Sequence, residues 1–230
     1  MRTKDPIGIR NDFLASLIDA KTTFTNSEVS KATAKQKNLI AEYTFLAAAT
    51  LWEGYLSDVF VAYINRDRSA FCAQMVSKMQ VKTEDAYAKR ASTHASINMS
   101  NHLTVAEIRA ILDANDYNVT FKSVDDLKEK AALWLAPAHR RNFLSLNAQQ
   151  SAGLGTVRSI RNFLAHRSGA SKVTMQADLV DPNLDVPLRR GTNQIKDVGS
   201  FLRSKPVVNQ DSRQLRYFAF LEQRAHQLCP

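Results

Sequence analysis

The sequence predicts an all-α protein, and three observations carry that expectation. Apolar residues recur at helical spacing through most of the 230-residue chain. Helix-start signals precede several of these runs, as where Thr104 is followed by Glu107 and Ser123 by Asp126. Seven glycines and six prolines against 44% hydrophobic residues suit a helix-rich globular chain and exclude a disordered or low-complexity one. With no internal repeat, residues 1–230 read as a single domain.

In chain order, Ile9, Phe13, Leu14, Leu17 and Ile18 make a first amphipathic helix to about Ala20, with an extension towards Ser30 through a Thr-rich stretch. The longest helical pattern follows, from about Lys35 to Asn65, with Leu39, Tyr43, Leu46, Leu56, Phe60 and Tyr63 on or near one side. This is the expected central helix. A short helix over Arg68–Met79 turns Phe71, Met75 and Met79 inward. Val81–Asn101 is polar and reads as a loop or broken helix. A helix from Thr104 ends near Asn115, and another from Ser123 carries Leu127, Ala131, Leu133 and Trp134 until Pro137 stops it. Residues 101–137 therefore read as a helical insertion before the helix that contains Thr156–His166. Residues 170–230 read as a C-terminal loop, with a short strand at Lys172–Met175, then a helix over Ile195–Leu202. A closing helix starts at Asp211 and Gln214 and packs through Leu215, Phe218, Phe220, Leu221 and Leu228.

Thirty-one basic against twenty-two acidic residues leave a net charge of +9, which favours polyanionic partners, nucleic acid above all. The charge is spread along the chain, so a basic solvated surface explains it equally well. Cys72 and Cys229 belong to no CxxC pair and fit two reduced cytoplasmic thiols. No signal-peptide run opens the chain and no segment is apolar for long enough to span a bilayer, so a soluble cytoplasmic protein without membrane contact is expected. The five histidines show no metal-ligand spacing and there is no GxSxG elbow, so neither a metal nor a cofactor is expected. Gly153-Leu154-Gly155-Thr156 has the flavour of a phosphate loop, but it lacks a preceding strand and a following Lys-Ser/Thr pair. Nucleotide binding is rejected.

The informative stretch is Arg161-Asn162-Phe163-Leu164-Ala165-His166. On an ideal helix Val157, Ile160 and Leu164 share one face and Arg161 falls among them, while Arg158, Asn162 and His166 form a polar row beside it. Gly169 is placed as the residue that ends this helix, which puts His166 in the last turn. An arginine on an apolar stripe needs a counter-charge. Glu53 lies among apolar neighbours on the central helix in the same way, and pairing with Arg161 explains both economically. The competing placements set Glu53 against another base or let it reach solvent past Gly54. His139-Arg140-Arg141 is a compact basic cluster, read either as a phosphate contact or as a solvated helix end. Arg141-Asn142-Phe143-Leu144 repeats the first four letters of the motif and then reaches Leu146 where the histidine should stand.

An Arg-Asn-x-x-x-His run near a helix C-terminus in an all-helical chain resembles the motif of HEPN domains, in particular prokaryotic HEPN proteins of the RiboL-PSP-HEPN kind. The resemblance implies a HEPN-like helical bundle that forms a homodimer, with the two motifs at the interface as a metal-independent endoribonuclease site. Arg161, Asn162 and His166 carry over as its catalytic residues, with Glu53 and Arg158 in support and His139, Arg140, Arg141 and Arg167 as RNA contacts. It also implies RNA as substrate, an antitoxin or regulatory protein as a further partner, and a toxin–antitoxin or anti-phage setting.

RNA carries its own nucleophile in the 2′-OH, so cleavage needs a base, an acid for the 5′-oxygen and cations at the phosphate. His166 can serve as acid or base, Arg161 can stabilise the phosphorane-like charge, and Asn162 can orient either. Five helical residues separate two side chains by roughly 140° and about 7.5 Å, so Arg161 and His166 do not naturally meet. A frayed helix end or a two-fold dimer would bring them together. A catalytically inert HEPN-like module that binds RNA or protein is the alternative, and a helical scaffold with an incidental basic surface is a third.

Overall fold

Asp5 starts the first helix: its carboxylate accepts from the amides of Ile7 and Gly8, both at 3.1 Å, and Pro6 takes the first helical position. The computed structural model describes residues 5–79, 83–95, 99, 102–113, 119–207 and 210–230. Helix α1 (Pro6–Val29) passes through the Thr-rich stretch without a break. Phe13, Leu17, Ala20 and Phe24 bury its core face, whereas Ile18, expected inward, is exposed.

Thr33 and Gln36 form a capping box that starts α2 (Ala34–Arg66). Its 33 residues span about 50 Å, and every other layer is built on it. Its two halves differ. From Val59 to Asn65 every side chain is buried, as expected of a helix that is apolar all round. The N-terminal half keeps one face open, and Leu39 and Tyr43, expected inward, are 46% and 61% exposed.

The buried half is wrapped by the middle of the chain. Helix α3 (Ser69–Lys78) inserts Phe71, but Met79 just past its end is exposed rather than inward. Helix α4 (Ala86–Ser92) lies within the polar 81–101 stretch and buries no residue; positions 81–82, 96–98, 100 and 101 fall outside the described residues. Helix α5 (Val105–Leu112) has the expected Thr104–Glu107 capping box and ends at Leu112; the predicted end at Asn115 lies outside the described residues. Helix α6 (Val124–Trp134) is capped by Ser123. Pro137 stops α6 and also opens α7 (Pro137–Leu144), because a residue that cannot continue one helix is pre-shaped for the first position of the next. Phe60 of α2 packs against Phe121, Trp134 and Phe143, and Ser57 Oγ accepts from the Val119 amide at 2.9 Å. Leu103, Ile108, Val119, Leu127, Ala131 and Leu135 of this stretch thus belong to the same hydrophobic core as the rest of the described residues.

The open half of α2 meets the C-terminal elements. Helix α8 (Ala148–His166) carries the motif, and α9 (Gly169–Asp178) turns back against it. The strand expected at 172–175 is therefore helix. Ser168 caps α9 by accepting from the Ser171 amide, and Met175 and Leu179 bury one face while the β-branched Val173 and Thr174 point outward. A 3-10 turn (Val186–Leu188) leads to α10 (Val198–Arg203), which starts three residues later than predicted, at an Asp197 cap. Helix α11 (Arg213–Leu228) is capped by Ser212 rather than Asp211. It is fastened along α2 by Gln214 donating to Thr44 Oγ1 at 2.6 Å, Tyr55 to Ala225 O at 2.9 Å and Tyr63 to Leu228 O at 2.9 Å. Among the described residues there is no strand, and no helix is long and apolar enough to cross a membrane.

Candidate active site on the motif helix

Asn147 and Gln150 form a reciprocal capping box, so α8 begins well before the residues that drew attention to it. Gly153 and Gly155 are inside this helix, and their amides are not free to receive an anion. Val157, Ile160 and Leu164 are buried against the core, and Thr156 and Ser159 are buried beneath α9. The helix ends at His166 because Arg167 takes the left-handed conformation, φ 51°. Gly169, expected to do this, is instead the first residue of α9. The strain of a left-handed arginine is offset by its guanidinium, which pairs with Glu42 at 2.5 Å and lies 5.4 Å from the centre of the Phe163 ring.

Arg161 Nη2 meets Glu53 Oε2 at 2.9 Å, and Nη1 donates to Asn162 Oδ1 at 3.0 Å. The arginine and the glutamate keep 27% and 40% of their side chains exposed, so the pair lies at a cleft edge rather than in the core. Its contribution to stability is about 1 kcal/mol. Arg161 Nε is buried without a partner. Asn162 is half-buried, while Arg158 and His166 are exposed.

A cleft of about 1190 Å³ opens over α8, between α2 on one side, α9 on the other, and the approach to α6 at one end. Arg158, Arg161, Asn162 and Glu53 all line it; His166 does not. Its charged lining comprises Lys128, Arg158 and Arg161 against Glu53, Asp125, Asp178 and Asp181, an acidic balance inside a protein of net charge +9. Burial pushes the Asp178 carboxyl above its ordinary value, and neighbouring Asp181 adds to this, while a hydrogen bond with Ser159 and the charge of Arg158 oppose it.

The basic cluster is elsewhere. His139 stacks on Tyr63 with ring centres 4.3 Å apart, near the C-terminal end of α2, whereas Arg167 is tied to Glu42 near its N-terminal end. Twenty-one residues of α2 separate the two anchors, a rise of about 30 Å. Within one chain the cluster and His166 therefore do not form one site. Arg140 is turned back onto Ala132 O at 3.4 Å, and Arg141 is exposed. Burial, and then the charge of Arg66, lower the pKa of His139, with Asp67 opposing. The folded protein therefore prefers neutral His139, and acid must charge it in an unfavourable place. Stability is expected to be complete above the ordinary histidine value of 6.5 and to fall as pH drops through the lowered value. His139→Phe should flatten that part of a denaturant midpoint–pH curve; an unchanged slope would show that other groups set it.

Two residues of the site were not singled out in the sequence. Glu42 lies three turns before Glu53 on the same stripe, and one oxygen holds Arg167 while the other accepts from the Gly199 amide at 3.1 Å. That spacing was a usable signal. Asp178 is brought to the cleft only by the return of α9, which the expected strand concealed. No family model, curated protein or solved structure matches the chain.

Proposed function

We propose that the chain is a metal-independent endoribonuclease that acts as a homodimer, with Arg161, Asn162 and His166 as its catalytic residues. The observation that carries this reading is the fixed placement of Arg161: Glu53 holds its guanidinium at the edge of a large cleft, beside Asn162 and Arg158. A preset cation at a cleft edge suits stabilisation of charge that develops at a phosphate. His166 waits exposed one turn further on, able to take the 2′-OH proton.

Two features support a second copy. The ion pair turns Arg161 towards α2, away from the flank that carries His166, so a two-fold arrangement is the simple way to complete a site. Leu39 and Tyr43 leave an apolar surface open on the same half of α2. Under this reading Arg167 contacts RNA with the part of its guanidinium not engaged by Glu42, and a regulatory protein such as an antitoxin would cover the exposed motif. A toxin or anti-phage role follows only from the resemblance to HEPN proteins.

The test is cleavage of total RNA in EDTA by wild type, His166→Ala and Arg161→Ala, with the product ends mapped. Loss of about 10²-fold or more in the folded His166→Ala variant, and 2′,3′-cyclic phosphate ends from wild type, are the expected results. One observation favours a second reading, an inert HEPN-like module that binds RNA or protein: the cleft lining carries more acid than base, and Arg161 is already neutralised. Salt-sensitive RNA binding by a wild type that cleaves nothing would select it.

A further inference from the structure

The nuclease reading names one proton-transfer group, whereas displacement by a 2′-OH uses two: one to take the 2′ proton and one to protonate the departing 5′-oxygen. Among the cleft residues that the motif does not include, Asp178 has the placement for the second. It ends α9 directly over Ser159 of α8. Ser159, Asn162 and His166 lie three and four residues apart on α8 and share a flank of that helix. Ser159 and His166 are separated by a rise of about 10 Å. An in-line reaction needs its base and acid about 9 Å apart, which is the span of the attacking and leaving oxygens plus a hydrogen bond at each end. Asn162 lies between the two and Arg158 just before Ser159, so both flank the place where the phosphate would rest.

We propose that Asp178 is the general acid of this site, a role that rests on the nuclease reading above. His166 removes the 2′-OH proton as the 2′-oxygen bonds to phosphorus; the P–O5′ bond breaks, and the proton on an Asp178 carboxyl oxygen passes to O5′. The products are a 2′,3′-cyclic phosphate and a 5′-hydroxyl. Protonated His166 and ionised Asp178 return to their starting states by exchange with water. The acid must carry its proton before the reaction, and the burial and the neighbouring Asp181 carboxylate that raise the pKa of Asp178 favour this. The charged groups facing it are Arg158 of α8 and Asp181 just beyond α9. One oxygen of Asp181, Oδ1, accepts from the amide and the side chain of Asn183, at 2.7 and 3.1 Å.

The experiment compares wild type and Asp178→Asn on an RNA oligonucleotide and on uridine 3′-(4-nitrophenyl phosphate), whose leaving group needs no proton. Asp178→Asn should lose about 10²-fold on RNA, stay within about threefold of wild type on the aryl ester, and no longer show the wild-type fall in rate as pH rises through the pKa of Asp178. Equal losses on both substrates, with an unaltered pH profile, would make Asp178 structural and overturn the proposal while the nuclease reading stands. Full activity of the variant on RNA would overturn it too. A wild type that cleaves neither substrate would remove the nuclease reading, and this role with it.

Discussion

Under the proposed nuclease function, Arg161→Ala is expected to lower RNA cleavage by about 10²–10³-fold while leaving the fold nearly as stable as before. The side chain touches Glu53 and Asn162 and keeps a quarter of its surface exposed. Truncation thus removes a surface-edge ion pair worth about 1 kcal/mol and leaves Glu53 able to reach water. A guanidinium aimed at developing phosphate charge is worth far more in the transition state, about 10²–10³ in rate, and the loss should fall on kcat rather than KM. Arg161→Lys should recover little, since one ammonium cannot satisfy both Glu53 and a phosphate in the guanidinium's fixed geometry. Glu53→Gln separates positioning from charge. If Glu53 positions the arginine, this variant also loses activity, and the double variant loses no more than Arg161→Ala alone. Unchanged activity and folding in Glu53→Gln would show that the pairing has no role.

The second large effect concerns stability. Gly199→Ala should destabilise the protein by about 3 kcal/mol and lower Tm by roughly 10 °C. A Cβ there would lie 2.3 Å from the backbone oxygen of Asn38 and 2.6 Å from its carbonyl carbon. Backbone cannot rotate away as a side chain can, so α10 would have to lift from α2. That movement would also stretch the bond from the Gly199 amide to Glu42 and the contacts of Arg203 with Glu28 and Asn38, at 2.6 and 2.7 Å. Gly54→Ala is the internal control. It lies mid-helix with nothing within 4 Å of the added carbon and should gain about 0.5 kcal/mol from helix propensity. Thermal melts of the two variants check both numbers, and equal shifts would show that α10 docks more loosely than its contacts imply.

The elements that could be read from sequence are those whose signals are local. The Thr104–Glu107 and Ser123–Asp126 starts and the extent of α2 follow from capping chemistry and periodicity. The Glu53–Arg161 pair was reachable because two charges of opposite sign each fell on an apolar stripe. The misreadings share another cause. Val173 and Thr174 favour strand by propensity, but a serine cap and the burial of Met175 and Leu179 decide the outcome in favour of α9. Gly169 looked like a helix terminator, yet Arg167 assumes that conformation because Glu42, 125 positions away, holds it. Leu39 and Tyr43 fit an apolar pattern, and only tertiary packing shows that no described element covers them. The distance between His139 and the motif was invisible for the same reason.

The double engagement of Glu42 has a consequence for synthesis. The motif is complete once residue 166 has been added, but the carboxylate that holds the residue after it is itself held by the Gly199 amide. A nascent chain of about 190 residues would therefore carry every letter of the motif with its last turn unsecured. The full set of contacts at the end of α8 is in place only when α10 has left the ribosome and docked, so that end is completed by the C-terminal portion of the chain rather than by the motif itself.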